Sequence, residues 1–312
     1  MTKADTYLYN NIKKILTRGC KDVDPRPKYS DGTPAYTYFV THNIRSYDLS
    51  KGEFPITTLR PIAWKSAIKE IFWIYQKRST SLKMLKNEFG IKYWDDWESD
   101  NYPKTIGHTY GYIVDKYDLF NKRVLNDIKE NPYGRYHVCS MWQEEVFNEP
   151  DFDALKPCAY ETIWTVRGKY LDMFLNQRSG DMLTASGAGG INEVQYAALL
   201  IMVARHTGYT PGKFTHCVIN EQIYDRHFDQ ARELLNRFLE RQKKYFDSLP
   251  QYHMPDDYWK DEFDYLKAYQ NYNTPRLILN PEKSDFYEMT IDDFTLENYE
   301  PVKPQLQFAL GI

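Results

Sequence analysis

The sequence predicts an α/β (α+β) fold, and three observations predict it. Stretches with apolar residues at helical spacing alternate with β-branched and aromatic runs along the whole chain. No change of composition divides it, and no repeat or low-complexity tract points to a solenoid or to disorder. The first helix is expected at residues 5–16, where Tyr7, Ile12 and Leu16 recur on one face. Residues 26–34, with Pro27, Gly32 and Pro34, read as a loop. Two short runs, 36–40 and 44–49, are expected to pair as strands. Residues 61–75 form the clearest helix of the first half, because Ile62, Ala67, Ile71, Ile74 and Tyr75 can share a face and Pro61 suits a first turn. Alternation over 160–175 reads as β structure broken by a turn at Arg167-Gly168. A buried helix at 193–205 stopping near Gly208, a strand at 214–219 and a helix at 225–245 follow. The acidic, aromatic stretch 246–274, with Pro250 and Pro255, reads as a surface excursion from a single domain spanning 1–312.

Composition narrows the function classes. Lysine plus arginine (40) nearly balances aspartate plus glutamate (43), which argues against a duplex nucleic-acid binder held by a basic field. The longest nearly continuous apolar stretch, 196–204, falls short of the roughly 20 residues that cross a bilayer. Residues 1–5 lack the apolar segment of a secretory signal, so a cytoplasmic protein is expected. Cys20, Cys139, Cys158 and Cys217 are far apart and the seven histidines form no ligand pattern, so no metal site is expected. Gly187-Ala188-Gly189-Gly190 lacks the lysine and spacing of a phosphate-binding loop and reads as a flexible loop.

Two short segments can carry chemistry. Asn176-Gln177-Arg178-Ser179-Gly180-Asp181 offers an arginine fork and a hydroxyl suited to a phosphate, although a plain polar loop explains it equally well. In Lys156-Pro157-Cys158-Ala159-Tyr160 a cysteine follows a proline at a strand start, where a nearby cation would favour the thiolate. Taken alone, Cys158 reads first as a structural thiol.

In order along the chain, these segments resemble the thymidylate synthase family, in particular its Firmicutes-type members. Arg26, then Thr57-Thr58-Leu59-Arg60-Pro61, then Glu70 before Ile71-Phe72-Trp73 match its first third. Tyr93-Trp94-Asp95-Asp96-Trp97 and Gly107-His108-Thr109-Tyr110-Gly111 match its next motifs, and Pro157-Cys158 its nucleophile segment. Gln177-Arg178-Ser179-Gly180-Asp181 is its most distinctive string; Asn192 with Tyr196, Ile223-Tyr224, Phe286-Tyr287, Ile291-Asp292-Asp293-Phe294 and a terminal Ile312 continue the match.

The resemblance implies a large mixed sheet flanked by helices, with sheets packed back to back in a homodimer. It implies reductive methylation of dUMP by 5,10-methylenetetrahydrofolate, without a metal. Cys158 would attack C6, Arg178 would favour its thiolate and hold the phosphate, and Arg26, Gln177, Ser179, Gly180 and Asp181 would also bind the substrate. Asn192 would read uracil, whereas an aspartate there would favour cytosine. Glu70 and Tyr110 would order water beside the base, and Gln222 and Tyr224 would meet the ribose. Trp94, Trp97, Asp181, Gly311 and Ile312 would contact the folate. Arg135, followed by Tyr136, would reach the neighbouring subunit's phosphate site.

Several positions depart from the family pattern: Tyr136 stands where a second arginine is usual, Ala159 and Gln222 where histidines are common, and the loop 182–191 is longer. A hydroxymethylase of the same family acting on dUMP or dCMP, or an inactive nucleotide- or RNA-binding relative, are the alternative readings.

Overall fold

A computed structural model describes residues 1–248, 274–280 and 282–311; the expected excursion falls almost wholly outside these, as does Ile312. Among the described residues the strands are β1 (Cys20–Lys21), β2 (Thr37–Asp48), β3 (Val138–Ser140), β4 (Ala159–Arg167), β5 (Tyr170–Asp181), β6 (Thr210–Tyr224), β7 (Arg276–Leu279) and β8 (Phe294–Glu297). The helices are α1 (Lys3–Arg18), α2 (Trp64–Ile71), α3 (Leu82–Phe89), α4 (Gly111–Tyr117), α5 (Asp127–Glu130), α6 (Glu144–Phe147), α7 (Ile191–Thr207) and α8 (Phe228–Ser248). No helix among the described residues is long and apolar enough to cross a membrane.

Six strands form one mixed sheet in the order β1-β2-β6-β5-β4-β3. Among the described residues its one parallel pair is β5 with β6, which requires a crossover, and α7 supplies it. Trp164, Val166, Leu171, Met173, Leu175, Phe214 and Tyr47 share the face covered by α7. Because α7 lies over the sheet and under α2, it is apolar almost all round rather than on one stripe. The opposite face of the sheet leaves Ile44 59% and Ile163 37% exposed. At the other edge, Leu8, Ile12 and Ile15 of α1 pack with Ala231, Leu234 and Phe238 of α8.

Four expectations are corrected. The runs 36–40 and 44–49 do not pair with each other; they are one strand, β2, pairing along its length with β6, and His42 (φ +55) bends it without shifting the register. The helix expected from Pro61 begins at Trp64, after Ala63 at the non-helical φ −75, ψ 62, while Ile62 N–H donates to the Tyr299 hydroxyl at 2.9 Å; it then runs into a π-helical turn, Phe72–Gln76. The string 176–181 is not a loop but the end of β5, with Ser179, Gly180 and Asp181 opposite Asn220, Glu221 and Gln222. The run 214–219 is the middle of the much longer β6, and the β7–β8 pair has no counterpart among the expected strands. The hairpin between β4 and β5 does turn at Gly168 (φ +61), and α7 stops at Gly208 (φ +83).

Candidate active site

Strand ends and one helix start converge on Cys158, the residue before β4. The Arg178 amide of β5 donates to its carbonyl at 2.9 Å, and its own amide donates to the Tyr110 hydroxyl at 3.0 Å. Tyr110 is held at φ +38, a costly conformation for a non-glycine residue at a position where its hydroxyl is used. The Arg178 guanidinium clamps the loop that leads into β4: Nε donates to the Pro157 carbonyl at 3.0 Å, and Nη2 to the Lys156 carbonyl at 2.8 Å and to Cys158 Sγ at 3.5 Å. Burial pushes the Cys158 thiol up, with the Arg178 and Arg26 charges opposing it. The expected preference for thiolate is therefore present as a pull but is outweighed in the free chain.

Glu70 is buried, and it accepts from the Tyr93 hydroxyl. Burial raises its carboxyl, while the Tyr93 hydrogen bond opposes this by favouring the charged form. Asn192 sits in the first turn of α7, where Oδ1 accepts from Gln177 Nε2 at 3.2 Å and Nδ2 donates to Gln195 Oε1 at 2.9 Å. Ser179 Oγ donates to Gln222 Oε1 at 3.4 Å across the parallel pair, and Tyr224 is buried against Tyr29 and Ala35. Burial lifts the Tyr224 hydroxyl to about 12.

Asp181 is committed to local structure. Its Oδ1 accepts from the Leu183 and Thr184 amides and its Oδ2 from the Thr184 hydroxyl at 2.5 Å, which caps the turn 182–186. The loop that follows is built rather than slack: Gly189 has φ +67, and a Cβ on it would lie 2.2 Å from the Thr57 amide nitrogen. Trp94 packs edge-on against Tyr110 (5.5 Å) and Trp97 (5.6 Å). The C-terminal tail returns here, since His227 Nε2 donates to the Ala309 carbonyl at 2.7 Å and a Cβ on Gly311 would meet the Tyr224 ring at 2.9 Å. Arg135 and Tyr136 stand apart on the exposed turn before β3, with Tyr136 71% exposed. Among the described residues no group of three or more His, Cys, Asp and Glu could hold a metal.

Sequence reasoning missed Tyr93 as the partner of Glu70, and Gln195. It also missed a buried ion cluster beneath the site: Arg45 bonded to Glu193 and Glu221, each at 2.6 Å, with His216 beside them. Charged residues inside apolar runs were the available signal, and they read as surface without the fold.

Comparison with known proteins follows the same outline. A family model described as thymidylate synthase matches residues 6–270. A thymidylate synthase of Streptococcus thermophilus is 43% identical and one of Streptococcus gordonii 44% identical, each alignment covering the whole of both chains. A solved structure titled thermostable thymidylate synthase A from Bacillus subtilis superimposes with a TM-score of 0.76 at 32% identity, over 99% of each chain.

Proposed function

The chain belongs to the thymidylate synthase family, and from that premise we propose how its residues convert dUMP to dTMP as a methyltransferase. The observation that carries the assignment of roles is the joining of Cys158, Arg178, Gln177 and Asn192 by hydrogen bonds at one end of the sheet.

Uracil C5 becomes nucleophilic only after addition at C6, and Cys158 Sγ is the group that adds. Bound next to Arg178 and Arg26, the thiol loses its proton against the cost of burial. The dUMP phosphate is held by Arg26, Ser179 and Arg178, whose Nη1 has no protein partner among the described residues. Asn192 accepts from uracil N3–H and donates to O4, which selects uracil. Charge that develops on O4 is met by Asn192 and by water ordered by Glu70 and Tyr110. Glu70, raised by burial, can both hold and return a proton in the steps that follow. Gln222 and Tyr224 meet the deoxyribose.

5,10-Methylenetetrahydrofolate, as co-substrate, supplies the one-carbon unit and the hydride. The aromatic wall of Trp94 and Trp97 fits a flat pterin, and the tail at Gly311, packed against Tyr224, closes over it to exclude water. Asp181, bonded into the 182–186 turn, contacts this ligand only through the oxygen lone pairs those bonds leave. The working unit is a homodimer of one-domain subunits in the cytoplasm, packed through the sheet face that carries Ile44 and Ile163, with Arg135 of each subunit completing the other's phosphate site.

The test is the mass of the nucleotide formed from dUMP and 5,10-methylenetetrahydrofolate. A gain of one methylene unit, the replacement of the C5 hydrogen by methyl, is expected. A hydroxymethyl product would transfer the chain to the hydroxymethylase reading, and unchanged dUMP with a folded dimer would support a binding role instead.

A further inference from the structure

The buried ion cluster below the base-reading asparagine supports a relay of fixed polarity. Arg45 accounts for its donors one by one: Nε to Glu193 Oε1 and Nη1 to Glu221 Oε1 at 2.6 Å, and Nη2 to the Ser186 carbonyl at 2.7 Å and to His216 Nδ1 at 3.1 Å. Glu193 is held in turn by the Tyr47 hydroxyl and the Gly189 amide, each at 2.7 Å, and lies 3.1 Å from His216 Nδ1. His216 Nδ1 lies 3.1 Å from both Arg45 Nη2, which only donates, and Glu193 Oε1, which only accepts, so these two hold the ring in place without choosing its tautomer. The Ser179 carbonyl chooses it, because it takes Gln177 Nε2 and turns Gln177 Oε1, an acceptor, towards His216 Nε2, which must then carry a proton. Burial pushes the His216 imidazole down, towards the neutral form. A charged imidazolium would leave Nε2 a donor all the same.

His216 Nε2 therefore donates to Gln177 Oε1 at 3.0 Å. Gln177 Nε2, turned the other way, spends its two hydrogens on the Ser179 carbonyl (3.0 Å) and Asn192 Oδ1 (3.2 Å). Asn192 then has one hydrogen on Nδ2 and one lone pair on Oδ1 uncommitted, its other hydrogen going to Gln195. That remainder complements O4 and N3–H of uracil. A reversed amide would complement N3 and the amino group of cytosine.

We propose that His216, held in place by Arg45 and Glu193, is a positioning residue that fixes, with the Ser179 carbonyl, the amide polarity of Gln177 and through it that of Asn192, so that the site takes uracil over cytosine; the proposal rests on the dUMP reading of the site. Ser179 and Gln195 also hold the two amides, so loss of His216 should weaken discrimination rather than abolish it.

The test compares the wild type with His216→Phe and His216→Gln, by calorimetric binding of dUMP, dCMP and 2-deoxyribose 5-phosphate. His216→Phe should lower the dUMP/dCMP affinity ratio by about tenfold, His216→Gln should restore part of it through its own amide donor, and binding of the base-free sugar phosphate should be unchanged in both. An unchanged ratio in folded His216→Phe would overturn the relay. A wild type with no preference for dUMP would remove the reading on which it rests. Should His216→Phe not fold, long-range ¹H–¹⁵N spectra of the wild type decide: a proton on His216 Nε2 supports the relay, and a proton on Nδ1 alone contradicts it.

Discussion

Burial lifts the Cys158 thiol above its ordinary value although the Arg178 and Arg26 charges oppose it, and this sets the direction of a pH profile. A group raised in this way is a thiol through neutral pH and becomes nucleophilic only as pH climbs. Alkylation of Cys158 in the free protein should therefore quicken into the alkaline range, and Arg178→Ala should move the rise further up. A thiolate plateau below neutrality would contradict the balance drawn here. At Asn192 the prediction is chemical: Asn192→Asp should move preference from dUMP towards dCMP, measured by the ratio of kcat/KM. Unchanged selectivity would mean that another residue reads the base. At this scale Cys158, Arg178, Gln177 and Asn192 were singled out by the likeness of their strings to one family, because the residue types alone left a plain polar loop and a structural thiol open. What was illegible was pairing at long range. Nothing in the strings says that Tyr93 turns its hydroxyl onto Glu70, or that Asp181 is spent on capping a turn.

Elements carry the ion cluster, since Arg45 belongs to β2, Glu193 to α7 and both Glu221 and His216 to β6. Burial alone would raise Glu193, but Arg45, His216 and the Gly189 amide hold it down at about 2. With its folded value below the unfolded one of about 4.3, its contribution to stability is complete above that value and is lost as pH falls towards 2. Arg45→Met strands two buried carboxylates, and in urea unfolding at neutral pH it should cost about 3–5 kcal/mol. The gap from wild type should narrow as pH drops through the carboxylate range, where the stranded groups can protonate; a pH-independent gap would contradict the assignment. Gly189→Ala adds a Cβ at φ +67 against the Thr57 amide and should destabilise by about 2 kcal/mol or more, read as a lowered Tm. Periodicity found α1 and α8, whose apolar residues recur on one face, whereas α7 stood out as a long apolar run bounded by Gly208. Periodicity split β2 in two because His42 interrupts the apolar pattern, and it missed β7 and β8, four residues each, because so short a run leaves no periodic signal.

Across the whole molecule, a crossover helix between two parallel strands gathers residues from positions 26 to 311 at one end of the sheet, which is why the site depends on the complete fold. The monomer leaves Arg135 on an exposed turn and apolar side chains on the sheet face opposite α7. If the sites are shared, mixing Arg135→Ala with Cys158→Ala subunits should restore part of the activity that each lacks alone. No recovery in verified mixed dimers would count against a shared site. The mixed class was legible from sequence because helical and strand patterns alternate along its length, whereas the strand order depends on pairings between residues far apart in the chain. The most direct test of the account is turnover of dUMP by Cys158→Ala, with nucleotide binding measured on the same preparation. Bound dUMP with no dTMP formed is the predicted result, because the remaining contacts hold the substrate while C5 stays unactivated. Substantial dTMP from that variant would show that a different group attacks C6.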